Sequence, residues 1–384
     1  MPDVFKEVSH QGYGSRVMGS FGGILIGIIL FFASFIVLYW NEGRVDISQI
    51  AKKSVEVQSS KVDASLDQKL ISVTGPITSS EKLSDKLFLN ESDYIAIYRK
   101  SEMYAWTEKT DTDTTTQTGG SQTTETTYTY DTAWTSSPEK SSSFKHPEGH
   151  QNPNQSITSE TFKVNNSNLE EYKLDMANLK LDTSLLVSAK KLQLDSENTT
   201  LTEANKIVEN YYVYQGAGNI SNPQVGDQKI SYYVLPQKEI ITVFGKLDSG
   251  KITTFTDEKD NTLFRIFLGD RATAISTMKT EYTVMTWILR LVGFLMMWIG
   301  LSAMFGPISV VLDFLPFLGS ASRGIIGFIT FIVALALSVL TILISMIIHN
   351  IVALIIILAI IVISAIIITA IFMKKKKGAK PASA

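Results

Sequence analysis

Charge is absent from residues 17–40, a run of 24 in which apolar and small side chains follow one another without the polar face of a soluble helix. A helix needs ~20 apolar residues to cross the hydrocarbon core of a bilayer, so this run predicts a spanning helix. It ends on Tyr39 and Trp40, which suit the headgroup layer, rather than on the small residues of a cleavage site, and so predicts a retained anchor. Three further runs lie at the other end of the chain, at 286–305, 324–348 and 351–373, and the last holds Ile, Leu, Val or Phe at 16 of its 23 positions. At about −0.4 kcal/mol each, those side chains favour its insertion by roughly 6 kcal/mol. The run at 286–305 is weaker because it carries Arg290, expected near the interface beside Trp287 with its stem buried. Only His349 and Asn350 separate the last two runs, which predicts a tight helical hairpin.

Between the first run and the second, the pattern changes to alternation of β-branched and aromatic residues with polar ones. Residues 94–98, 103–106, 127–130, 229–234, 240–244 and 263–267 read as strands. Residues 182–192 and 201–211 read as helices, each opening on an Asp or Thr suited to a cap. The Thr-rich tract at 110–127 offers a turn at Gly119-Gly120; folding the chain about Gly120 sets Trp106 opposite Trp134, an ordered hairpin base with a mobile polar tip. A cross-strand pair of this kind contributes about 0.2–1 kcal/mol, enough to support the base but not the whole tract. The predicted fold is a membrane protein of four transmembrane helices, with a large β-rich α+β extracytoplasmic domain at 41–285 inserted between the first two.

Basic residues near the helix ends set the expected sidedness. Lys6 and Arg16 precede the first run, Arg323 lies in the loop at 306–323, and Lys374, Lys375, Lys376 and Lys377 open the tail at 374–384. The positive-inside rule then puts an N-terminus at 1–16, that loop and the tail in the cytoplasm. The four lysines would also face anionic lipid, at about 1 kcal/mol of attraction each. A net charge of −2 without a basic stripe predicts no nucleic-acid partner. With no cysteine in the chain, disulfides, thiolate zinc sites and cysteine nucleophiles are excluded, and the inserted domain must be held by burial.

Candidate chemistry is sparse. His146 and His150 are four apart, but Pro147 and Gly149 between them make a turn rather than a metal-binding helix face, and backbone satisfaction is the favoured reading of His150. No zinc-protease, nucleophile-elbow or phosphate-loop motif occurs, so neither catalytic residues nor a cofactor or metal is predicted. Asn90, Asn154, Asn165, Asn198 and Asn219 head glycosylation triplets that matter only in a glycosylating host. Ser15, Gly19, Gly23 and Gly27 recur every fourth residue and form a small face for close helix packing, against a second copy or against the protein's own helices. The loop at 306–323 is apolar, with Ile308, Val311, Leu312 and Leu315 on one helical face, as in a segment lying in the interface, and its Asp313 is expected to face headgroups or cap a neighbour.

Taken in order, several short motifs resemble the LUMA family of four-span membrane proteins: Asn41-Glu42-Gly43-Arg44 after the first run, Met103-Tyr104 with Trp106, Tyr128 and Tyr130 with Trp134, and Gly149-His150 with Asn152-Pro153. The likeness continues through Val225-Gly226-Asp227, Thr286-Trp287 with Arg290, Gly300-Leu301, and Asp313 with Pro316. The resemblance implies a membrane-organising or scaffold role, homo-oligomers, membrane lipids as surroundings and other membrane or envelope proteins as partners. Such proteins occur in animals at the endoplasmic reticulum and inner nuclear membrane, and in bacteria. The Thr-rich tract, the Ile-dominated hairpin and the lysine tail depart from the animal pattern and suggest a bacterial member in the plasma membrane. Asn41 to Arg44 would set the exit of the first helix, with Arg44 pairing to Glu42 or to phosphate. A transporter or channel component, and a surface enzyme acting through the inserted domain, are the alternatives to a non-enzymatic scaffold.

Overall fold

The structure, a computed structural model, describes residues 3–349 and Ile355. Its contacts divide the chain into two compact units: Met1–Ser9, Asp46–Asp113 and Thr124–Tyr282 form the first, and His10–Val45, Thr114–Thr123 and Thr283–Ala384 the second. In chain order the opening elements are β1 (Asp3–Gln11), α1 (Tyr13–Glu42), α2 (Ile47–Lys52), β2 (Val55–Gln58), β3 (Leu70–Thr78), β4 (Tyr94–Thr116) and β5 (Gln122–Thr135). The remaining helices are α3 (Thr183–Ala189), α4 (Arg271–Met304), α5 (Gly306–Leu312) and α6 (Pro316–His349).

Two large sheets build the first unit, beside a two-stranded one of Phe255–Thr256 and Thr262–Leu263. One runs β1, β5, β4, Gln228–Pro236, Tyr212–Gln215, Asn205–Val208; the other pairs β3 with Ile240–Asp248, which also carries Arg265–Leu268. Alternation along β3 turns Ile71, Val73 and Ile77 into a core shared with Ile95 of β4, Leu235, Val243 and Ile252. Each fully buried Ile or Leu there contributes about 1.5–3 kcal/mol relative to exposure, which substitutes for the missing disulfides. Leu186 of α3 joins the same core.

Several expectations are corrected. The segments at 94–98 and 103–106 are one strand, β4, that continues through the Thr-rich tract. Its hairpin with β5 closes where the Gln117 N–H donates to the Ser121 carbonyl at 2.8 Å, with Gly119 and Gly120 at φ +88° and +79°. This closure lies one residue short of the expected centre, so Trp134 meets Tyr104, at 5.4 Å between rings, and Trp106 turns to His150. The tip is held: the Gly119 N–H donates to the Phe314 carbonyl at 3.0 Å, and Gly120 lies against the Tyr13 ring.

Residues 201–211 are not a helix. Asn205–Val208 pairs antiparallel with Tyr212–Gln215, and the chain reverses through Glu209 and Asn210 at φ +53° and +55°, a left-handed turn that Asn tolerates and a helix excludes. The helix expected over 182–192 shortens to α3, after which Lys190–Lys191 pairs with Tyr233 and Val234. Before the second apolar run, α4 has already begun at Arg271, because the Asp270 carboxylate accepts the Thr273 N–H at 2.8 Å as a cap. The loop at 306–323 is helical over most of its length, as α5 and the start of α6.

Residues 3–11, expected within an N-terminal segment at 1–16, form β1 beside β5. Paired strands lie ~4.8 Å apart, against ~30 Å for a hydrocarbon core, so no bilayer separates residues 3–11 from the strand at 122–135.

Among the described residues three helices are long and apolar enough to cross a membrane: those over Tyr13–Lys52, Arg271–Met304 and Ala321–His349. The fourth expected span, 351–373, and the lysines at 374–377 lie outside the described residues, Ile355 apart. A Cβ on Gly27 would sit 2.7 Å from the Gly300 carbonyl oxygen, so α1 and α4 cross backbone to backbone there. Leu38, Met297 and Ala334 form a small core between α1, α4 and α6, and the Trp298 indole N–H donates to the Gly327 carbonyl at 2.9 Å. Met18, Phe21, Leu25, Phe32 and Ile36 of α1 stay exposed, a face that suits lipid or another apolar surface.

Candidate functional site

Three polar clusters collect the residues singled out by the sequence. The first, in the helical unit, lies where α1 ends. Asn41 is fully buried and donates from Nδ2 to the Thr286 carbonyl at 3.1 Å, while its Oδ1 accepts from Arg44 Nη1 at 3.4 Å. Both Glu42 oxygens take Arg290, Nε and Nη2 each at 2.8 Å. This fork geometry is the strongest form of the carboxylate–guanidinium pair, and removing one partner of such a pair costs about 3–5 kcal/mol when it is buried. Arg290 also stacks 4.9 Å from the Trp287 ring centre, and Trp287 is exposed. Gly43 is required by contact: a Cβ there would reach within 2.4 Å of the His349 ring.

At the opposite end of α1, still within the helical unit, lies the second cluster. Asp313 is fully buried rather than turned to headgroups. It accepts Arg16 Nη2 at 2.5 Å and Arg323 Nη1 at 2.6 and 2.7 Å, and Arg16 Nη1 donates to the Gly120 carbonyl of the hairpin tip at 2.5 Å. Gly319 makes room for the carboxylate, since a Cβ there would collide with Asp313 Oδ1. Nothing local in the sequence joins Arg16, Gly120, Asp313 and Arg323; the signal was two arginines at helix starts and an acid in an apolar stretch.

The third cluster is in the β-rich unit. Asn152 acts as a strand partner for Trp106: its Oδ1 accepts the Trp106 N–H at 2.7 Å and its Nδ2 donates to the Trp106 carbonyl at 3.0 Å. His150 is almost fully buried, stacked on Tyr130 at 4.0 Å and edge-on to Trp106 at 4.7 Å. Its Nδ1 lies 3.0 Å from the His146 carbonyl, the backbone satisfaction expected, and its Nε2 lies 3.2 Å from Asp3 Oδ2 of β1. Rings enclose the imidazole, while the Asp3 side chain stays exposed. The Tyr130 hydroxyl donates to Glu108; burial, aided by that carboxylate, pushes it up to about 12.

Asp227 organises the adjoining loop. Its carboxylate accepts the N–H groups of Ala217, Gly218 and Gln224 at 3.0, 3.1 and 2.7 Å, together with the Tyr214 hydroxyl. Burial, then the hydrogen bond to Asp227, raises the Tyr214 hydroxyl above its ordinary value. Gly226 lies against Pro153, where a Cβ would come within 2.8 Å of the ring. Of the small-residue face, Gly27 sits at the helix crossing and Gly23 at its edge, where a Cβ would lie 3.9 Å from the Ala303 carbonyl; a Cβ on Gly19 would meet Gln11, and Ser15 accepts from Gln11 at 3.4 Å.

One cluster escaped the sequence reading. Asp85, nearly fully buried, accepts the N–H groups of Leu87, Phe88 and Leu89 at 3.0, 3.0 and 2.9 Å, the Tyr232 hydroxyl at 2.6 Å and Arg99 Nη1 at 3.3 Å. Its only sequence signal is an Asp before a short apolar triplet, shared with many turns. Among the described residues no group of His, Asp and Glu is arranged to hold a metal ion.

The sequence model of the family described as Transmembrane protein 43 matches residues 103–351, more than half of the chain. Human Transmembrane protein 43 is 24% identical over 356 residues, covering 88% of this chain and 87% of its own length. The mouse protein of that name is 24% identical over 352 residues, covering 86% and 85%. The Drosophila melanogaster homolog is 22% identical over 289 residues, covering 72% and 75%. No solved structure matches the chain.

Proposed function

The chain belongs to the Transmembrane protein 43 family, and from that premise we propose that it is a non-enzymatic membrane scaffold that assembles laterally and presents its β-rich unit to partners. One observation carries this reading. The polar side chains that make up the family resemblance are spent inside the molecule: Asn41 and Asn152 on backbone, Asp227 on a loop, Glu42 on Arg290 and Asp313 on two arginines. Such residues brace a surface rather than line a reaction site.

Lateral assembly would use the exposed apolar face of α1, whose close-packed glycine side is already taken up within the chain. The partners are further copies of the chain, membrane lipids and other envelope proteins. The finer reading is a bacterial plasma membrane with the β-rich unit outside the cytoplasm, residues 3–11 going with it. Lys6 pairs with Glu125 at 2.6 Å and Arg16 with Asp313, so these two cations are matched rather than left to hold a cytoplasmic tail.

The test is the mass of the full chain purified in mild detergent, with copurifying proteins identified. A defined oligomer carrying a reproducible membrane partner is the expected result. A monomer that conducts ions or solutes in liposomes would replace the scaffold with a transporter.

A further inference from the structure

Beside the Arg16–Asp313–Arg323 cluster the helical unit holds a cavity of about 530 Å³, within the range of small-ligand sites. Arg16 and Arg323 line it, with Thr114 and Gln122 from the hairpin tip and Ser302 and Ser309 from α4 and α5; no carboxylate is in its wall. The charges do not balance. Asp313, fully buried behind the wall, neutralises one guanidinium, and two converge on it.

The Arg323 side chain stays 44% exposed beside the cavity, so its guanidinium is open to an anion arriving from outside. Arg323 spends one terminal nitrogen on both Asp313 oxygens, and its Nε and Nη2 meet no acceptor among the described residues. Those two N–H groups form the edge of the guanidinium that accepts two oxygens of a phosphate in parallel. The hydroxyl and amide groups of the lining can serve its remaining oxygens. Apolar surface borders the site: Val310 and Ile326 line the cavity, and Phe305, Ile308, Ile325 and Phe328 are exposed on α5, α6 and the turn before α5.

We propose that this cavity binds the phosphate of an anionic membrane lipid, with Arg323 and Arg16 as its ligands and the apolar border beside its acyl chains. The Thr-rich hairpin then has a role in the helical unit: its tip fixes Arg16 through the Gly120 carbonyl and supplies polar groups to the wall. Asp313 is a positioning residue that draws two like charges to one point.

The full chain is reconstituted in nanodiscs of phosphatidylcholine alone, phosphatidylcholine with phosphatidylglycerol, and phosphatidylcholine with inorganic phosphate added. Retained lipid is counted by native mass spectrometry and the unfolding temperature is followed. Wild type is expected to retain phosphatidylglycerol over phosphatidylcholine and to melt higher with it. Arg323→Gln should weaken that preference by about ten-fold or more, the size of one charge-assisted contact. Val310→Trp, which narrows the cavity while keeping both arginines in the chain, should do the same. Replacing Lys374 to Lys377 by Gln separates the tail's attraction to anionic lipid from the cavity's and should leave the effect of Arg323→Gln in place. Equal retention of both lipids by wild type, or a preference unchanged in a folded Arg323→Gln and in Val310→Trp, overturns the proposal. Stabilisation by inorganic phosphate but not by phosphatidylglycerol, lost in Arg323→Gln, overturns the lipid as the source.

Discussion

Asn152 shows how one side chain can stand in for a strand. Its amide matches the Trp106 peptide group at both ends, acceptor to donor and donor to acceptor, and its Nδ2 also reaches the Glu139 carbonyl at 3.0 Å. Asn152→Asp keeps the shape and the acceptor but sets a carboxylate oxygen against two carbonyls. It should therefore destabilise the β-rich unit by about 1–3 kcal/mol, as much as Asn152→Ala, read as a shift of the denaturation midpoint. If the isosteric acid were as stable as wild type, the donor half of the pairing would carry no weight. Tyr130 makes a second prediction at this scale. Its hydroxyl stays neutral in the folded chain up to about 12, against an ordinary value of 10.0, because burial and then Glu108 oppose the phenolate. The stability that follows is complete below pH 10 and is lost as the pH rises towards 12. In Tyr130→Phe the alkaline loss should be smaller and one late-titrating phenol should vanish from the absorbance titration; an unchanged titration would contradict the burial argument. Both residues were visible in the sequence as parts of a motif, but their tasks were not, since neither Glu108 nor the Trp106 peptide group is a sequence neighbour that marks them.

Period and termination signals were read with different success among the elements. Long apolar runs and strands of alternating β-branched residues were legible, because their burial pattern repeats at the helical or the strand period. The segment at 201–211 misled because its apolar residues also fit a helical spacing; pairing with Tyr212–Gln215 and the left-handed pair Glu209-Asn210 decided for a hairpin. Packing of the helices rests on backbone approach. Gly27 faces the Gly300 carbonyl, whereas Gly22, on the same helix, has open space where a Cβ would go. Gly27→Leu should lower the unfolding temperature in detergent, with a cost of about 1–3 kcal/mol or more for overpacking, and Gly22→Leu should leave it near wild type. Equal effects from both would mean that α1 does not pack on α4 through this point.

For the whole molecule the decisive feature is β1. Both segments that flank α1, Met1–Ser9 and the chain from Asp46, belong to the β-rich unit. Because the chain has no cysteine, single cysteines report sidedness cleanly. Val4→Cys in β1 and Glu91→Cys just before β4 should react with an impermeant maleimide from the same side of sealed vesicles, and labelling from opposite sides would show that β1 leaves the sheet in the membrane.

Composition and periodicity alone determined that this is a membrane protein with several apolar helices, a β-rich unit and no thiol chemistry, because those properties are sums over local side chains. The small-residue face of α1 was likewise legible from spacing, although only contact showed that Gly27 meets the chain's own Gly300. Tertiary structure alone decided the register of the β4–β5 hairpin, the recruitment of residues 3–11 into the sheet, and the meeting of Arg16 and Arg323 on Asp313. Each of these joins groups far apart in the chain, and an ion pair or a strand edge carries no local mark of the partner it will find.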